Sequence, residues 1–525
     1  MAVAMSSLIV ITACGGQNNP TTGTTYKNGQ TLTVRLATDW TNFDIQVLPS
    51  LANTQLVLAA YDRLLDYDSG KVVPYLATSW TQTPTSLSLV IRTDAKCSDG
   101  TPVTPTVIAN SFKRLIDPST KFRNSSQLFG TGPYTVAADD AAHTFTFTTS
   151  LPFSNLLYGF TDPATAIICP AGLVNPSALQ TGMYGSGPYT LTSAVHNDRL
   201  EFSLRSDWAW GPKGVTAKTP GMPGKLVYKI VADETTAANL LQTGGLTLAM
   251  IAGPDIPRLI ADKTLAHAQA PVSTSQIMVF NQAPGHVTVD QTVREALMTA
   301  IDPSAYCKAA NSGYCVPTTS YLAKSALCFD PKTASMLPKP DIAAAKAILT
   351  KAGYTAVNGV MTKDGKPLTI NLLGGTFQNS GPDYLLAQFQ SLGANVVFTK
   401  VDFAAYAANL QGAKFTWDVT VAALTSAASF SPLPSNFAVP FMSGKTLPEG
   451  GRNIYWIRDP VIEDLVGKAL ATTGTGLCPA WAAVQERYLA QHDFLPLGSA
   501  VDQWFSRNVQ FQTDPVEPLT WRITG

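Results

Sequence analysis

Cysteine and histidine are the residues of this 525-residue chain whose spacing says most about chemistry. The chain has seven cysteines and five histidines, with no Cys-x-x-Cys and no His-x-x-x-His pair, so the spacing argues against zinc. We predict no metal and no cofactor. If Cys14 is set aside, an even number of cysteines remains, and in an oxidising compartment they can form up to three disulfides in about 15 connectivities. We expect Cys97 to pair with Cys169, since both fall in one segment, and the remaining disulfide candidates are Cys307, Cys315, Cys328 and Cys478.

Cys14 is treated separately because of what precedes it. The apolar run 2–13 is shorter than the roughly 20 residues that a membrane-spanning helix needs. Its end, Ile11-Thr12-Ala13-Cys14, has the pattern of a lipoprotein processing site. We therefore predict a signal peptide at 1–13, lipidation of Cys14 and a flexible polar tether over 14–30. The alternative is a frayed terminus with a chance cysteine.

Patterns typical of enzymes fail on inspection. The segment FMSGKT (441–446) resembles the end of a phosphate-binding loop, but Val439 stands where its first glycine is required. Gly185-Ser186-Gly187 lacks the Gly-x-Ser-x-Gly frame of a nucleophile elbow. The paired carboxylates Asp233-Glu234 and Glu463-Asp464 fall at helix starts, where they favour the helix dipole. We predict that the protein is not an enzyme.

The composition and net charge limit the classes of partner that the protein can have. Hydrophobic residues make up 45% of the chain and charged residues 14%, which is typical of a globular protein with two or three cores. Basic and acidic residues both number 36, so no net positive charge attracts a polyphosphate. Nucleic acid is therefore not an expected partner.

The elements that would position a site follow from periodicity. The alternation in TLTVRLAT (31–38) predicts a strand, and TQLVLAAYDRLLDY (54–67) has apolar residues at helical spacing. Thr104 and Pro105 predict a helix start. The clearest order is strand, helix, strand, helix, strand over 368–424, which predicts a parallel sheet in a separate α/β lobe.

Several ordered motifs carry a family resemblance. The segment YDRLLDYDSGKVVPYLATSW (61–80) resembles a signature of the solute-binding proteins of peptide-type ABC importers, the oligopeptide, dipeptide and nickel family (family 5). The resemblance continues through four further segments: DAKCSDGTPVTPTVIANSFKRL (94–115), GSGPYTLTSAVHNDRLEFSLRSDWAWG (185–211), VREALMTAID (293–302) and PDIAAAKAILTKAGY (340–354). Read from the residues alone, most of these motifs are scaffold; the Gly185-x-Gly187-Pro188 stretch, for example, suits a tight turn between lobes.

The resemblance implies an α/β, periplasmic-binding-protein-like fold. Two lobes are joined by a hinge, with an extra subdomain inserted in the first. Lobe I would comprise 31–48, 182–271 and 498–525, the inserted subdomain 49–181, and lobe II 272–497. A ligand that contacts both lobes would stabilise a closed state.

The resemblance also implies two charged ligand anchors, and neither is found here. Peptide-binding members place an aspartate after the strand that matches WDVTVAAL, whereas this chain reads LTSAASFSPLPSNF (424–437). Dipeptide binders place an arginine after the strand that matches LTINLL, where this chain offers Phe377 and Gln378. The remaining ligand-binding candidates, by their family positions, are Trp40, Asn42, Phe43, Asn281, Thr425, Ser426 and Phe430. For Asn281, a structural role in the hinge backbone is an equal alternative.

These inferences predict a monomeric, lipid-anchored binding protein on the outer face of the cytoplasmic membrane. It would capture an oligopeptide or peptide-like solute and deliver it to the permease subunits of an ABC transporter. The alternative is a specialised binder of a modified peptide or secondary metabolite without the ammonium and carboxylate anchors. The lipid would be its only attachment to the membrane.

Overall fold

The computed structural model describes residues 25–47, 51–68, 71–122, 125–271, 275–324, 326–411, 416–423, 433–511 and 517–525. Its strands, in chain order, are β1 (Thr31–Leu36), β2 (Leu65–Asp68), β3 (Lys71–Pro74), β4 (Ala77–Thr83), β5 (Ser86–Ile91), β6 (Tyr134–Asp139), β7 (Thr144–Thr149), β8 (Tyr189–Val195), β9 (Arg199–Leu204), β10 (Lys225–Ile230), β11 (Leu248–Ile251), β12 (Ala266–Pro271), β13 (Gln276–Phe280), β14 (Cys315–Val316), β15 (Thr355–Val357), β16 (Val360–Lys363), β17 (Lys366–Pro367), β18 (Thr369–Gly375), β19 (Asn395–Val401), β20 (Val419–Ala423), β21 (Phe494–Ser506), β22 (Val509–Phe511) and β23 (Trp521–Ile523).

The α-helices, in chain order, are α1 (Leu51–Ala60), α2 (Pro105–Ile116), α3 (Ser125–Phe129), α4 (Leu156–Gly159), α5 (Pro170–Val174), α6 (Glu234–Thr243), α7 (Ile256–Ala261), α8 (Gln291–Thr299), α9 (Pro303–Ala310), α10 (Ile342–Lys351), α11 (Gly381–Leu392), α12 (Phe403–Gln411), α13 (Ser435–Phe441), α14 (Pro460–Ala471) and α15 (Leu477–Ala490). In the described residues, no helix is long and apolar enough to cross a membrane.

The main sheet has two halves that share one long strand. Among the described residues its order is β19-β18-β20-β13-β21-β11-β1-β10-β9-β8, with β12 and β14 also paired to β21. We call the half with β1 and β8–β12 lobe I and the half with β13 and β18–β20 lobe II. The strands β18, β19 and β20 are parallel, as predicted from the strand and helix alternation over 368–424.

Lobe II is buried on both faces of its sheet. Along β13, Ile277 and Val279 enter one hydrophobic core, whereas Met278 and Phe280 enter the other. This division follows from the alternation of side chains along a strand. Strand β13 therefore reads as a continuous apolar run, which is typical of a strand covered on both sides.

A separate antiparallel sheet, β4-β5-β7-β6, lies within the segment predicted as an inserted subdomain. It packs with α2 on its own core, in which Phe112, Phe145 and Phe147 are fully buried. Helix α2 begins as the sequence predicts: Pro105 is its first residue, and the Thr104 hydroxyl accepts a hydrogen bond from the amide of Val107.

The six cysteines other than Cys14 form three disulfides. The expected pair Cys97–Cys169 is present, and the others are Cys307–Cys315 and Cys328–Cys478. The second pair lies against β21, where a side chain at Gly498 would meet both sulfur atoms within 2.5 Å. Cys315 itself pairs with Ala500 of β21, so this small loop covers the strand that the two lobes share.

Three local expectations need correction. The helix expected over 54–67 ends at Ala60, and 65–68 form β2. The tether expected over 14–30 is not free at its end, because Lys27 and Gly29 donate backbone hydrogen bonds to the body, and Tyr26 forms a bridge with Thr524. Finally, the glycines of the 185–188 stretch do not serve a positive-φ turn.

Close packing explains those glycines instead. A Cβ atom at Gly185 would lie 2.2 Å from the carbonyl oxygen of Ala60, and one at Gly187 would lie 2.4 Å from its carbonyl carbon. The Gly187 amide also donates a hydrogen bond to the Ala60 carbonyl. These residues let two backbone segments touch at the end of α1.

Candidate functional site

The strand directions locate the site. Strand β21 runs antiparallel to both β11 and β13. In lobe I, β1 is parallel to β11, so β21 runs in the opposite direction to both strands. In lobe II, β20 is antiparallel to β13, so β21 runs in the same direction as β20 and the strands parallel to it. The carboxyl ends of the parallel strands in both lobes therefore face the middle of β21. Ligands of α/β sheets bind outside the carboxyl ends of the strands.

Two chain crossings join the lobes at this point. Residues 494–498 of β21 pair with β13 in lobe II, and residues 501–506 pair with β12 in lobe I. The second crossing is the short connection from β12 to β13. Few residues thus link the lobes, which is the arrangement expected of a hinge. We call the space between the facing carboxyl ends the cleft.

On the lobe I side, the loop after β1 holds three of the predicted ligand residues. Trp40 and Phe43 are only 5% and 4% exposed, and they belong to the lobe I core. The Trp40 ring stacks on the imidazole of His196, with 4.2 Å between centroids. Asp39 fixes that imidazole, since its Oδ2 lies 2.9 Å from His196 Nδ1. Packing is the role that the structure shows for both aromatic rings, and ligand contact by them stays a prediction.

Polar contacts fix the same loop. Asn42 is buried, and its Oδ1 accepts the amide hydrogen of Asp44 at 2.9 Å. The Asp44 carboxylate then binds the Arg114 guanidinium of α2 through both oxygens, at 3.0 and 2.5 Å. Such a two-point pair is strong and directional. It ties the loop after β1 to α2, which lies in the segment predicted as an inserted subdomain.

On the lobe II side, Gln378 serves the backbone. Its Oε1 accepts from the Gly375 amide at 2.8 Å, and its Nε2 donates to the Val421 carbonyl at 2.6 Å. The residue is 7% exposed. It therefore links the end of β18 to β20, and its role as a ligand residue is untested.

Among the predicted ligand residues that the structure describes, Phe377 is the most exposed. It is 43% exposed and packs edge-on against Phe403 and Tyr406, each at 5.3 Å between centroids. Phe403 is 68% exposed, whereas Tyr406 is buried and donates its hydroxyl to the Val421 carbonyl. Burial raises the pKa of Tyr406 to about 12, so this hydroxyl stays protonated. The three residues, which we call the aromatic cluster, present ring surface at the carboxyl edge of lobe II.

Asn281 lies at the other end of the sheet. It follows β13, next to the amino end of β20, and is fully buried. Its Oδ1 accepts from the Ala283 amide, and its Nδ2 donates to the Trp417 carbonyl at 2.9 Å. A neighbouring contact joins His286 Nδ1 to Asp418 at 2.7 Å. These contacts favour the structural one of the two roles considered for Asn281.

The remaining predicted residues lie outside the described ones. They are Cys14 near the amino terminus and Thr425, Ser426 and Phe430 in the segment that leaves the carboxyl end of β20. In the described part of the chain, no group of three or more His, Cys, Asp or Glu residues is placed to hold a metal ion.

Contacts between the inserted subdomain and lobe II were not anticipated from the sequence. The Asn155 side-chain amide donates to the Ser435 hydroxyl at 2.6 Å, and both residues are buried. The Ser154 amide donates to the Leu470 carbonyl, also at 2.6 Å. Because these partners are about 300 residues apart, no local pattern reveals them. They hold the subdomain against lobe II.

The most specific sequence motif proves to be scaffold. Asp62 is fully buried, accepts from the Tyr75 hydroxyl and accepts from Trp210 Nε1 at 2.7 Å. Burial raises the pKa of this carboxyl, although the hydrogen bonds oppose the shift. Arg63 next to it binds Asp66 and Glu517, each at 2.8 Å. This network ends α1 and connects the subdomain to the carboxyl-terminal segment.

A cavity of about 870 Å³ lies between α2 and α5. Lys113, Asp117 and Lys121 line it together with Leu173 and Val174. Its lining also includes Arg114, which binds Asp44 in the loop after β1.

Comparisons with known proteins agree with this geometry. A family model described as bacterial extracellular solute-binding proteins, family 5 (middle part), matches residues 71–446. The glutathione-binding protein GsiB of Escherichia coli K12 is 28% identical over 299 residues, which cover 56% of this chain and 55% of GsiB. The alignment thus spans about half the length of that relative. The periplasmic oligopeptide-binding protein OppA of the same strain is 26% identical over 383 residues, 67% of each chain.

Among solved structures, a substrate-binding protein of Microbacterium hydrocarbonoxydans is similar over nearly the whole chain. It was solved in complex with 4-hydroxybenzoate hydrazide. The TM-score is 0.73 at 28% identity, and the superposition covers 94% of this chain and 100% of the other. The two-lobe architecture is therefore shared along the full length of that protein.

Proposed function

The chain belongs to family 5 of the bacterial extracellular solute-binding proteins, and from this premise we propose that it captures a peptide or peptide-like solute in the cleft outside the cytoplasm. It would then deliver the solute to the permease subunits of an ABC transporter. The observation that carries the proposal is the meeting of the carboxyl ends of both lobes at a hinge of two crossings. Capture by binding, rather than catalysis, is the role proposed.

The lobe boundaries belong to the same proposal. Lobe I comprises 31–48, 182–271 and 498–525, the inserted subdomain 49–181, and lobe II 272–497. The separate β4–β7 sheet supports the subdomain, while β21 supports a hinge near 498. The contact of Asn155 with Ser435 supports a closed state in which the subdomain rests on lobe II.

A second candidate ligand class is favoured by the aromatic cluster. The described end of β18 carries no arginine, and Phe377 offers an exposed ring instead. Rings of this kind bind ligands by stacking and edge contacts. The relative from Microbacterium holds 4-hydroxybenzoate hydrazide, an aromatic molecule that is not a peptide. The alternative to a free peptide is thus a modified peptide or small metabolite bound by neutral contacts.

Native mass spectrometry of the mature protein from its own host tests the function. We expect bound solute that denaturing conditions release. A ladder of short peptides identifies a general peptide receptor, and one defined small molecule identifies a specialised binder. A protein that carries nothing and is stabilised neither by a peptide library nor by 4-hydroxybenzoate hydrazide would contradict solute capture.

Lipidation of Cys14 is proposed from the sequence pattern and is tested separately. Cys14→Ala is expected to release the protein from the membrane fraction, because a diacylated cysteine is the only proposed anchor. The disulfide variant Cys307→Ser with Cys315→Ser is the control, since it also removes cysteine but leaves the anchor. Membrane association that survives Cys14→Ala would refute the anchor without touching solute binding.

A further inference from the structure

A second cavity lies in lobe II, at the end of the sheet opposite the cleft. It has a volume of about 650 Å³, within the usual range for small-molecule sites. It opens beside the amino end of β21 and the carboxyl end of β13. Its lining includes Gln282, Arg294, Trp456, Arg458, Asp459, Arg487 and Asp493.

One of the three lining arginines is fully engaged by the fold. The Arg294 guanidinium donates to the carbonyls of Thr288, Val289, Gln491 and His492, at 2.8 to 3.0 Å. These bonds use the donors of its fork and place a positive charge at the end of α15. Arg294 therefore holds the cavity wall in place, and we do not assign it a ligand contact.

Asp493 has one oxygen in use and one without a partner. Its Oδ1 accepts from Gln282 Nε2 at 2.9 Å and lies 3.5 Å from an Arg294 nitrogen. Its Oδ2 is buried and meets no hydrogen-bond donor among the described residues. A buried carboxylate oxygen left this way costs free energy, so the site favours a donor that enters the cavity. The burial that causes this cost also raises the pKa of Asp493 to about 6.

Arg487 supplies the complementary group. Its Nε donates to Asp459 at 2.6 Å, which leaves its two terminal nitrogens without a partner in the described part of the chain. The Arg487 side chain is 32% exposed and lines the cavity. Asp459 is held in turn as the N-cap of α14. An arginine oriented by such a carboxylate is suited to receive an anionic oxygen.

The backbone of the lining is also unusual. Trp456 has a φ of 57°, a left-handed conformation that is uncommon for a bulky residue and tends to occur at ligand sites. Arg458 lies over the Trp456 ring at 5.6 Å and binds Glu449 at 2.8 Å. The wall thus presents fixed charges of both signs within one cavity.

We propose that this cavity binds a small zwitterion of the α-amino acid type, with its ammonium group at the Asp493 carboxylate and its carboxylate at Arg487. A lone cation would pair with Asp493 but would be repelled by the arginines. A lone anion would pair with Arg487 but would be repelled by the carboxylates. Only a molecule with both charges complements both unpartnered groups. The site is separate from the cleft and does not depend on the proposed function.

Calorimetric titration of the mature protein with each of the twenty common amino acids tests the proposal. The best binder is then compared with its N-acetyl and amide derivatives. We expect binding of the free amino acid and at least tenfold weaker binding of both derivatives, because each lacks one charge. Equal binding of all three, or no binding of any amino acid, overturns the proposal and leaves the cavity as a hydrated space.

Two variants locate the binding. Asp493→Asn and Arg487→Gln are each expected to weaken it at least tenfold, whereas Asp464→Asn, a matched change on the exposed side of α14, leaves it unaltered. Arg487→Gln lies near the surface, so it keeps the test valid if Asp493→Asn impairs folding. Binding that Phe377→Ala removes and the two cavity variants leave intact belongs to the cleft, and this result also overturns the proposal.

Discussion

The contact between Asn155 and Ser435 predicts a measurable dependence of affinity on closure. Asn155 is fully buried, and its side-chain oxygen has no partner among the described residues. The hydrogen bond from Asn155 Nδ2 to the Ser435 hydroxyl is therefore the main polar contact of this side-chain amide. Ser435→Ala removes the acceptor and leaves the whole amide group buried without a partner.

The magnitude follows from the cost of such a group. An unpaired buried amide costs about 1 to 3 kcal/mol. If the contact forms only when the subdomain meets lobe II, this cost falls on the closed state alone. Since about 1.4 kcal/mol corresponds to tenfold in an equilibrium constant, the Kd for the solute is expected to rise about 5- to 150-fold.

The assay compares two serine variants. Titration calorimetry with the solute released from the native protein gives Kd, and thermal unfolding without solute gives stability. The control is Ser443→Ala, because the Ser443 hydroxyl is also buried but donates to the Ala438 carbonyl within lobe II. It is expected to lower Tm and to leave Kd unchanged. If Ser435→Ala behaves like this control, the contact exists in both states and the reasoning about closure is refuted.

Three other perturbations test separate parts of the account. Phe377→Ala is expected to weaken solute binding at least tenfold with Tm nearly unchanged, since the ring is 43% exposed; unaltered affinity would remove the aromatic cluster from the site. Gly187→Ala is expected to destabilise the fold by at least about 2 kcal/mol, because the added Cβ overlaps the Ala60 backbone. Gly467→Ala lies within α14 where an added Cβ meets no atom within 4 Å, and it is expected to stabilise the fold by about 1 kcal/mol. Burial raises the pKa of Asp493 from 3.8 to about 6, so ionisation of this carboxyl opposes folding. As the pH falls from above 6 to about 4, the unfolding free energy of the native protein is expected to rise by about 2 to 3 kcal/mol relative to that of Asp493→Asn. A difference in unfolding free energy that does not depend on pH would contradict this.

The sequence predicted the elements whose signals are local. The Thr104 cap and the parallel strands β18–β20 each depend on residues that are close in the chain. The helix expected over 54–67 is present only as far as Ala60, because Asp62 forms hydrogen bonds with Tyr75 and Trp210 that override the helical spacing. Local patterns carry no information about such distant partners.

The candidate site was harder to predict from the sequence, because its contacts also join residues that are distant in the chain. Family position led to Trp40 and Phe43, but their burial in the lobe I core depends on His196 and on the packing around it. Family position also led to Gln378, yet the two ends of its side-chain amide bind the backbone of β18 and β20. The Cys328–Cys478 bridge spans 150 residues and was one of many equal pairings.

Solution scattering measures whether the two lobes close on a solute at the hinge of β21. The radius of gyration of the mature protein is measured after removal of its solute and again at saturation. We expect a smaller radius of gyration with solute, and a smaller change in that radius for Ser435→Ala at the same solute concentration. A solute that raises Tm while the radius stays the same would show binding without closure and contradict the account.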